Sequence, residues 1–466
     1  MTRIGFADHL FLRMHHGIGN PVFNQFLWWF DSAIPVDELE KLRTNLSSGL
    51  LSRKVESPSL PTARHRWIAS AVSLPLDLTD TEIPSDAVLA WAEQRVGGDI
   101  DPESGIGWQL AAVPIAGGGM VVSLVCSHMV ADGAAMVAAV RQAHVQCDSA
   151  TDDSATNDSA TDRAVGADAL GVRPSFVGGL VDDLGDTVGQ LKPIVRWAVG
   201  TAVTAAASVV TGKREPASQA HEVASPHRRD VDRTSGQWSA PYVVVECSAS
   251  EWNAAAAEWG GTSNSLFIGV MTAISEMLGR ATPGDELRWS LPYNNRGPGD
   301  IDSNSTKIIP VRVPVSERGD LDLTRIRKAS KTAFTEFATR QAAGTTTEAI
   351  PLALIQMLPD ALVAKLPRPS DGAEGLCSNL GALPDDFTTI SGVKARSVAA
   401  RATFAGADAD FARTLGGGST AWATATAGAV TIALHGMDPD RMVSDDALRV
   451  VVAEVLDRWA IGYRFW

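Results

Sequence analysis

Paired cysteines are missing from this chain. Its four cysteines, Cys126, Cys147, Cys247 and Cys377, lie far apart, and no C-x-x-C pair occurs. That spacing excludes a zinc knuckle and a thioredoxin-like redox site, and no metal is expected. Four thiols in 466 residues make no disulfide scaffold, so the expected compartment is the cytoplasm. Basic charge is also short: 40 Lys and Arg stand against 54 Asp and Glu, a net charge of −14. A protein that grips a phosphate backbone needs a basic stripe, so nucleic acid is not an expected partner. The same balance gives no global attraction to an anionic bilayer. No uninterrupted apolar run is long enough for a membrane-spanning helix. The opening residues MTRIGFADHLFLRMHHG lack the basic-then-apolar layout of a leader, and none is expected. The glycine runs Gly117–Gly119 and Gly416–Gly418 precede no lysine-bearing helix, so neither is a phosphate loop.

What is present is globular. Hydrophobic residues make up 45% and charged residues 20% of the chain. At about 150 residues per domain, the length suggests two or three domains. Composition divides it into residues 1–146, mixed and well patterned; 147–240, biased; and 241–466, mixed again. The middle zone opens with an imperfect DSAT repeat from Asp148 to Asp162. It is polar and free of aromatics, so it is expected to be a surface linker. From Phe176 to Leu191, apolar residues recur at helical spacing, and Pro193 is expected to end or kink that helix. Ile194 to Val210 carries Arg196 as its only charge. Residues 175–212 admit peripheral contact with membrane lipid or docking on the domain surface. The lack of lysines in Ile194 to Val210 favours docking. Lys213 to Gln237 forms a second polar stretch.

Strands and helices interleave in both flanking zones. β-Branched content marks strands at Pro241–Ser248, Lys307–Val315 and Ala427–Gly436. Helices are expected at Ser250–Trp259, Leu266–Leu278, Ser316–Thr339 and Ser444–Ala460. The expected class is α/β, with two α/β sandwiches of similar size.

The segment richest in chemistry is AGGGMVVSLVCSHMVADGAAMVAAV, residues 116–140. Met120–Val125 reads as a buried strand, and the chain from Ala134 reads as a helix. His128 therefore ends a strand, and Asp132 and Gly133 sit in the turn that starts a helix. An imidazole has an ordinary pKa near 6.5, and a strand end holds it rigidly enough for general-base work. A carboxylate buried at such a turn needs a cation or amide partner, which suits Asp132 to a structural role. Gly133 permits a tight backbone path. His15 and His16 read as surface or packing residues, His435 as a lone strand-end histidine, and His221 and His227 as solvated.

This H-x-x-x-D-G stretch resembles the active-site motif of the chloramphenicol acetyltransferase-like superfamily. That group includes nonribosomal condensation domains, polyketide-associated acyltransferases and bacterial wax ester synthase/diacylglycerol acyltransferases. Asp8 in FADHLFLR resembles the opening of the wax ester synthase branch. Leu291–Pro314 resembles its proline-x-x-x-arginine segment, with Arg296 and Asn304 at the matching places. Cys377–Pro384, CSNLGALP, resembles its S-N-L-G segment, and Ser263–Leu278 resembles the helix entering its second domain. Ser127 stands where many members carry a first histidine, and Ser303 where wax ester synthases have glycine.

The resemblance implies two acetyltransferase-like halves, 1–146 and 241–466, meeting at a tunnel. It implies transfer of an acyl group from acyl-CoA or an acyl-carrier protein to a hydroxyl of a lipid, polyketide or other alcohol. No bound cofactor is implied. His128 would be the base, Asp132 would pair with Arg296 across the seam, and Asn304, Ser378 and Asn379 would line the substrate. Two alternatives stay open: an amide-forming condensation enzyme served by a carrier protein, and a non-catalytic binding relative.

Overall fold

The computed structural model describes residues 2–17, 20–151, 175–211, 238–297, 299–316, 322–343, 352–363 and 372–466, with 146–151 and 197–211 described by backbone alone. Most of the DSAT repeat and the Lys213–Gln237 stretch, with His221 and His227, lie outside the described residues.

The chain builds two large sheets, in keeping with the expected α/β class. The first has the order Ser397–Phe404, Val22–Phe30, Met120–Ser127, Trp108–Pro114, Asp77–Leu78. The second has the order Tyr463–Phe465, Tyr242–Ser248, Ala429–Gly436, Ser419–Ala425, Gly375–Ala382, Glu286–Asn294, Thr306–Pro314. Alternation along the strands gives each sheet two different faces. Phe26, Trp28 and Phe30 turn to one side of the first sheet. There they pack with Leu39, Leu42 and Leu46 of helix Val36–Leu46 and with Met136, Ala139 and Val140 of helix Gly133–Thr151. Leu27 and Trp29 turn to the other side and meet Tyr242, Val244 and Ala433 of the second sheet, with Trp466. Helices Ala249–Glu258, Ser263–Met277 and Asp445–Arg458 cover the outer face of the second sheet through Trp252, Phe267, Ile274, Val452 and Leu456. Both sheets are thus helix-covered outside and joined inside.

One strand crosses between the halves. Ser397–Phe404 lies far along the chain, yet it pairs antiparallel with Val22–Phe30, Arg401 opposite Gln25. The second half therefore completes the edge of the first sheet, which fixes the halves relative to one another.

Local signals explain several helix starts. Ser248, not Ser250, caps Ala249–Glu258, its hydroxyl accepting from the Glu251 amide. Ser444 caps Asp445–Arg458 through the Ala447 amide. The first DSAT unit is not linker, because helix Gly133–Thr151 runs through it.

Of the two outcomes expected at Pro193, an end or a kink, the end is excluded: a single helix runs from Phe176 to Thr211 with the proline inside. The helix is docked, but by its acidic side. Asp183 is fully buried, and its carboxylate accepts from Arg3 Nη2 at 2.7 Å, Arg66 Nη2 at 2.5 Å and the Ser59 amide at 2.6 Å. Asp186 accepts from Arg64 Nη2 at 2.6 Å and the Arg64 amide at 2.8 Å. Arg3 also binds Asp182. Burial opposes charge on Asp183 and Asp186, but these donors outweigh it and hold both below the usual carboxylate range. No helix among the described residues is long and apolar enough to cross a membrane.

Candidate active site

Strand Met120–Ser127 is buried along its whole length, between its neighbours Val22–Phe30 and Trp108–Pro114. His128 follows directly, its amide donating to the Val22 carbonyl at 2.9 Å. The ring is half-buried and stacks on Phe11 of helix Phe6–His15, with centroids 4.1 Å apart and planes 21° apart. One ring nitrogen, Nδ1, lies 3.0 Å from Asn304 Oδ1.

The amide of Asn304 can be oriented by its partners. Its Nδ2 faces Asp8 Oδ1 at 2.9 Å, the His128 carbonyl at 2.8 Å and the Met129 carbonyl at 3.3 Å. All three are acceptors, so the nitrogen of the amide must be there and the oxygen must face His128. An oxygen opposite Nδ1 requires a proton on Nδ1. The neutral ring then carries its lone pair on Nε2, for which no hydrogen-bond partner exists among the described residues. Burial lowers the His128 pKa from 6.5; its own carbonyl, Asp132, Asn304 and Asp8 favour the charged form but do not overcome it. The ring is neutral near pH 7.

Asp132 holds the loop that carries Asn304. Its carboxylate lies 2.8 Å from Arg296 Nη1 and accepts from Thr306 Oγ1 at 2.8 Å, the Ser305 amide at 3.2 Å and the Ala135 amide at 3.0 Å. Its own amide donates to the Ser303 carbonyl at 2.9 Å. Arg296 Nη2 closes the loop onto the carbonyls of Asp302 and Ser303. The expected Asp132–Arg296 pair is therefore present between segments 164 positions apart.

The remaining sequence candidates are placed as follows. Gly133 opens its helix without a positive φ, and a Cβ there would make ordinary contact, at 3.4 Å, with the Leu380 side chain of the S-N-L-G segment. Asn379 donates to Asn264 Oδ1 at 3.0 Å and accepts from the Gly381 amide at 2.8 Å. Ser378 is half-buried on the same strand. Asn304, expected against substrate, touches the ring of His128. Ser127 is fully buried with its hydroxyl 2.9 Å from His15 Nε2, so His15, on the helix that also carries Phe11, occupies the polar niche beside it. His16 bridges Glu103 and Asp360. His435 is buried against Tyr242, ring centroids 4.4 Å apart.

Phe11 and Arg53 were not read from the sequence as site residues. Arg53 is fully buried behind the site, donates to the Leu50 and Ile301 carbonyls, and stands over the Trp67 ring. Burial pushes its pKa down to about 10, against the opposing influence of Asp8. A residue i+3 from Asp8 shares its helix side, a periodic signal that points from Asp8 to Phe11. Nothing comparable marks Arg53.

Two helix-covered sheets joined along one seam make up a fold that solved condensation domains and a wax ester synthase/diacylglycerol acyltransferase share with this chain. Solved structures with this fold align over nearly the whole chain. The first condensation domain of the calcium-dependent antibiotic synthetase, in complex with a substrate analogue, has a TM-score of 0.58 at 13% identity, covering 99% of this chain and 96% of that one. Polyketide synthase associated protein 5 from Mycobacterium tuberculosis has a TM-score of 0.52 at 14% identity, covering 97% of each. The wax ester synthase/diacylglycerol acyltransferase from Marinobacter aquaeolei VT8 has a TM-score of 0.51 at 13% identity, covering 98% of this chain and 100% of that one. No protein-family model matches the sequence. No curated protein matches it either.

Proposed function

We propose that this protein is a thioester-dependent O-acyltransferase with His128 as its general base. The observation that carries the reading is the orientation of Asn304. Fixed by Asp8 and two carbonyls, it puts the proton of His128 on Nδ1 and the lone pair on Nε2.

The reaction follows from that lone pair. Nε2 takes the hydroxyl proton of the acceptor as its oxygen attacks the thioester carbonyl. The tetrahedral intermediate collapses, the C–S bond breaks, and the leaving thiolate takes the proton back from Nε2. No acyl-enzyme is needed. The developing oxyanion needs donors set in place beforehand, worth about 3–4 kcal/mol each. Candidates are the backbone amides near Gly133 and the hydroxyl of Ser378. Asn379 is a weaker candidate, because its side chain already serves Asn264 and Gly381. Asp132 and Arg296 act on the loop rather than on the substrate. The donor would be acyl-CoA or an acyl-carrier protein, and the acceptor an alcohol of lipid or polyketide type.

The test is thiol release on incubation with acyl-CoA and a long-chain alcohol. Wild type should turn over, and His128→Ala should lose at least about a hundredfold while keeping its fold by circular dichroism. Full turnover by the variant would overturn the reading. Product formed only with an amine acceptor would replace it by the condensation-type reading.

A further inference from the structure

The long helix Phe176–Thr211 is mounted with its faces reversed. A surface helix ordinarily buries its apolar stripe and shows its charges to water. Here Asp182, Asp183, Asp186 and Gln190 face the protein, held by Arg3, Arg64, Arg66 and the Thr62 carbonyl. Phe176, Leu180, Leu184, Val188, Leu191 and Val195 are 40–78% exposed. At about 100° per residue these six fall within an arc of about 120°, a continuous ridge along the helix. Isolated exposed apolar residues need no explanation, but a ridge of six does.

We infer that this ridge lies on a lipid surface, with the helix axis in the plane of the headgroups. Three observations select lipid over other covers. Lys192 and Arg196 are exposed beside the ridge, while Asp183 and Asp186 are turned inward and matched by arginine, and the half-exposed Asp182 is paired with Arg3. Cations at that flank complement anionic headgroups and leave the ridge free to enter the acyl region. The sequence then continues from Trp197 to Thr211, in the same helix, without a charged residue. The flanking sequences 152–174 and 212–237 are polar and contain no aromatic residue and a single leucine, Leu170, so they offer little apolar surface to cover the ridge.

Arg3, Arg64 and Arg66 thus act as a mount that sets which face looks outward. The overall charge of −14 opposes adsorption to an anionic surface, so burial of the ridge must supply most of the attraction and the two cations its lipid preference.

Flotation of the full chain with phosphatidylcholine vesicles, with and without phosphatidylglycerol, tests this. Binding should occur and should strengthen with phosphatidylglycerol. The double variant Leu184→Glu, Val188→Glu should lose at least about a hundredfold in partitioning, with an unchanged melting temperature because both side chains are already exposed. Lys192→Gln and Arg196→Gln should each lose about fivefold, and only on the anionic vesicles. Absence of wild-type flotation, or flotation unaffected by the double variant, would overturn the inference. So would a concentration-dependent dimer in sedimentation that the double variant abolishes, which would assign the ridge to a second copy.

Discussion

Two ionic clusters organise this molecule, and they differ in what they hold. At the seam a single carboxylate, Asp132, gathers Arg296, Thr306 and the amides of Ser305 and Ala135. At the long helix three carboxylates meet three arginines. The seam cluster positions a loop so that Asn304 meets one nitrogen of one ring. The helix cluster positions a whole face and tolerates more play, since Arg3 and Arg66 each keep a second carboxylate partner. Buried ion pairs are costly to desolvate and are poor general stabilisers. Their use here is geometric: one fixes a tautomer, the other an orientation.

The largest expected effect is therefore at the seam. Asp132→Ala strips Arg296, Thr306 and two amides of their acceptor at once. It should cost about 3 kcal/mol or more in a denaturant titration and should also cut turnover, because Asn304 loses its support. Asp183→Ala should cost less, about 2 kcal/mol. Arg3 retains Asp182, and Arg66 retains Glu56 at 3.7 Å. Its signature should be local: faster amide exchange in residues 176–190 with turnover on soluble substrates kept. If Asp183→Ala abolished turnover while Asp132→Ala did not, the division of labour between the clusters would be wrong.

The same contrast explains what could be read in advance. The seam was legible because strand, histidine, aspartate and helix are contiguous, and the apolar run Met120–Val125 announces burial by itself. The Asp132–Arg296 pair came through resemblance in a distant segment. Asn304 was placed at the site, but its contact with His128 was not foreseen, since no spacing rule tells that an amide faces a ring. The long helix was legible as a helix but not in its orientation. Periodicity shows which residues share a face; it cannot show which face is buried when cations more than a hundred positions away neutralise the acids. Strand Ser397–Phe404 was invisible for a related reason: its pairing with Val22–Phe30 joins opposite ends of the chain.

A smaller effect sharpens the seam further. Asn304→Ala removes the acceptor opposite Nδ1, leaving the ring free to carry its proton on either nitrogen. Turnover should fall about ten- to a hundredfold, in kcat rather than KM. The hydrogen bond to Asn304 favours the protonated ring, so its loss should also move the acid limb of the rate profile to lower pH. A change in KM alone, with the limb unmoved, would return Asn304 to a substrate-binding role.

The gentlest probe is acid. Burial lowers the pKa of His9 to about 3 and lowers those of His15, His65, His128 and His435. Each stays neutral in the folded protein at a pH where the unfolded chain, with an ordinary value near 6.5, takes up a proton. The unfolded state then binds more protons, so stability rises with pH up to about 6.5 and is lost progressively below it, by up to about 1.4 kcal/mol per pH unit for each group. His16 runs the other way. Burial opposes its charge, but Glu103 and Asp360 outweigh this and raise its pKa, so its contribution is full below 6.5 and lost as pH rises through the raised value. The lowered histidines outnumber it, so the melting temperature should fall as pH drops from 7 to 5. The helix mount should not share in this, because Asp183 and Asp186, held below the usual carboxylate range, remain charged across that window. Amide exchange at pH 5 should therefore quicken first around residues 6–16 and 65, while residues 182–190 stay protected. Loosening in the reverse order would mean that the carboxylate mount, and not the buried histidines, limits stability in acid.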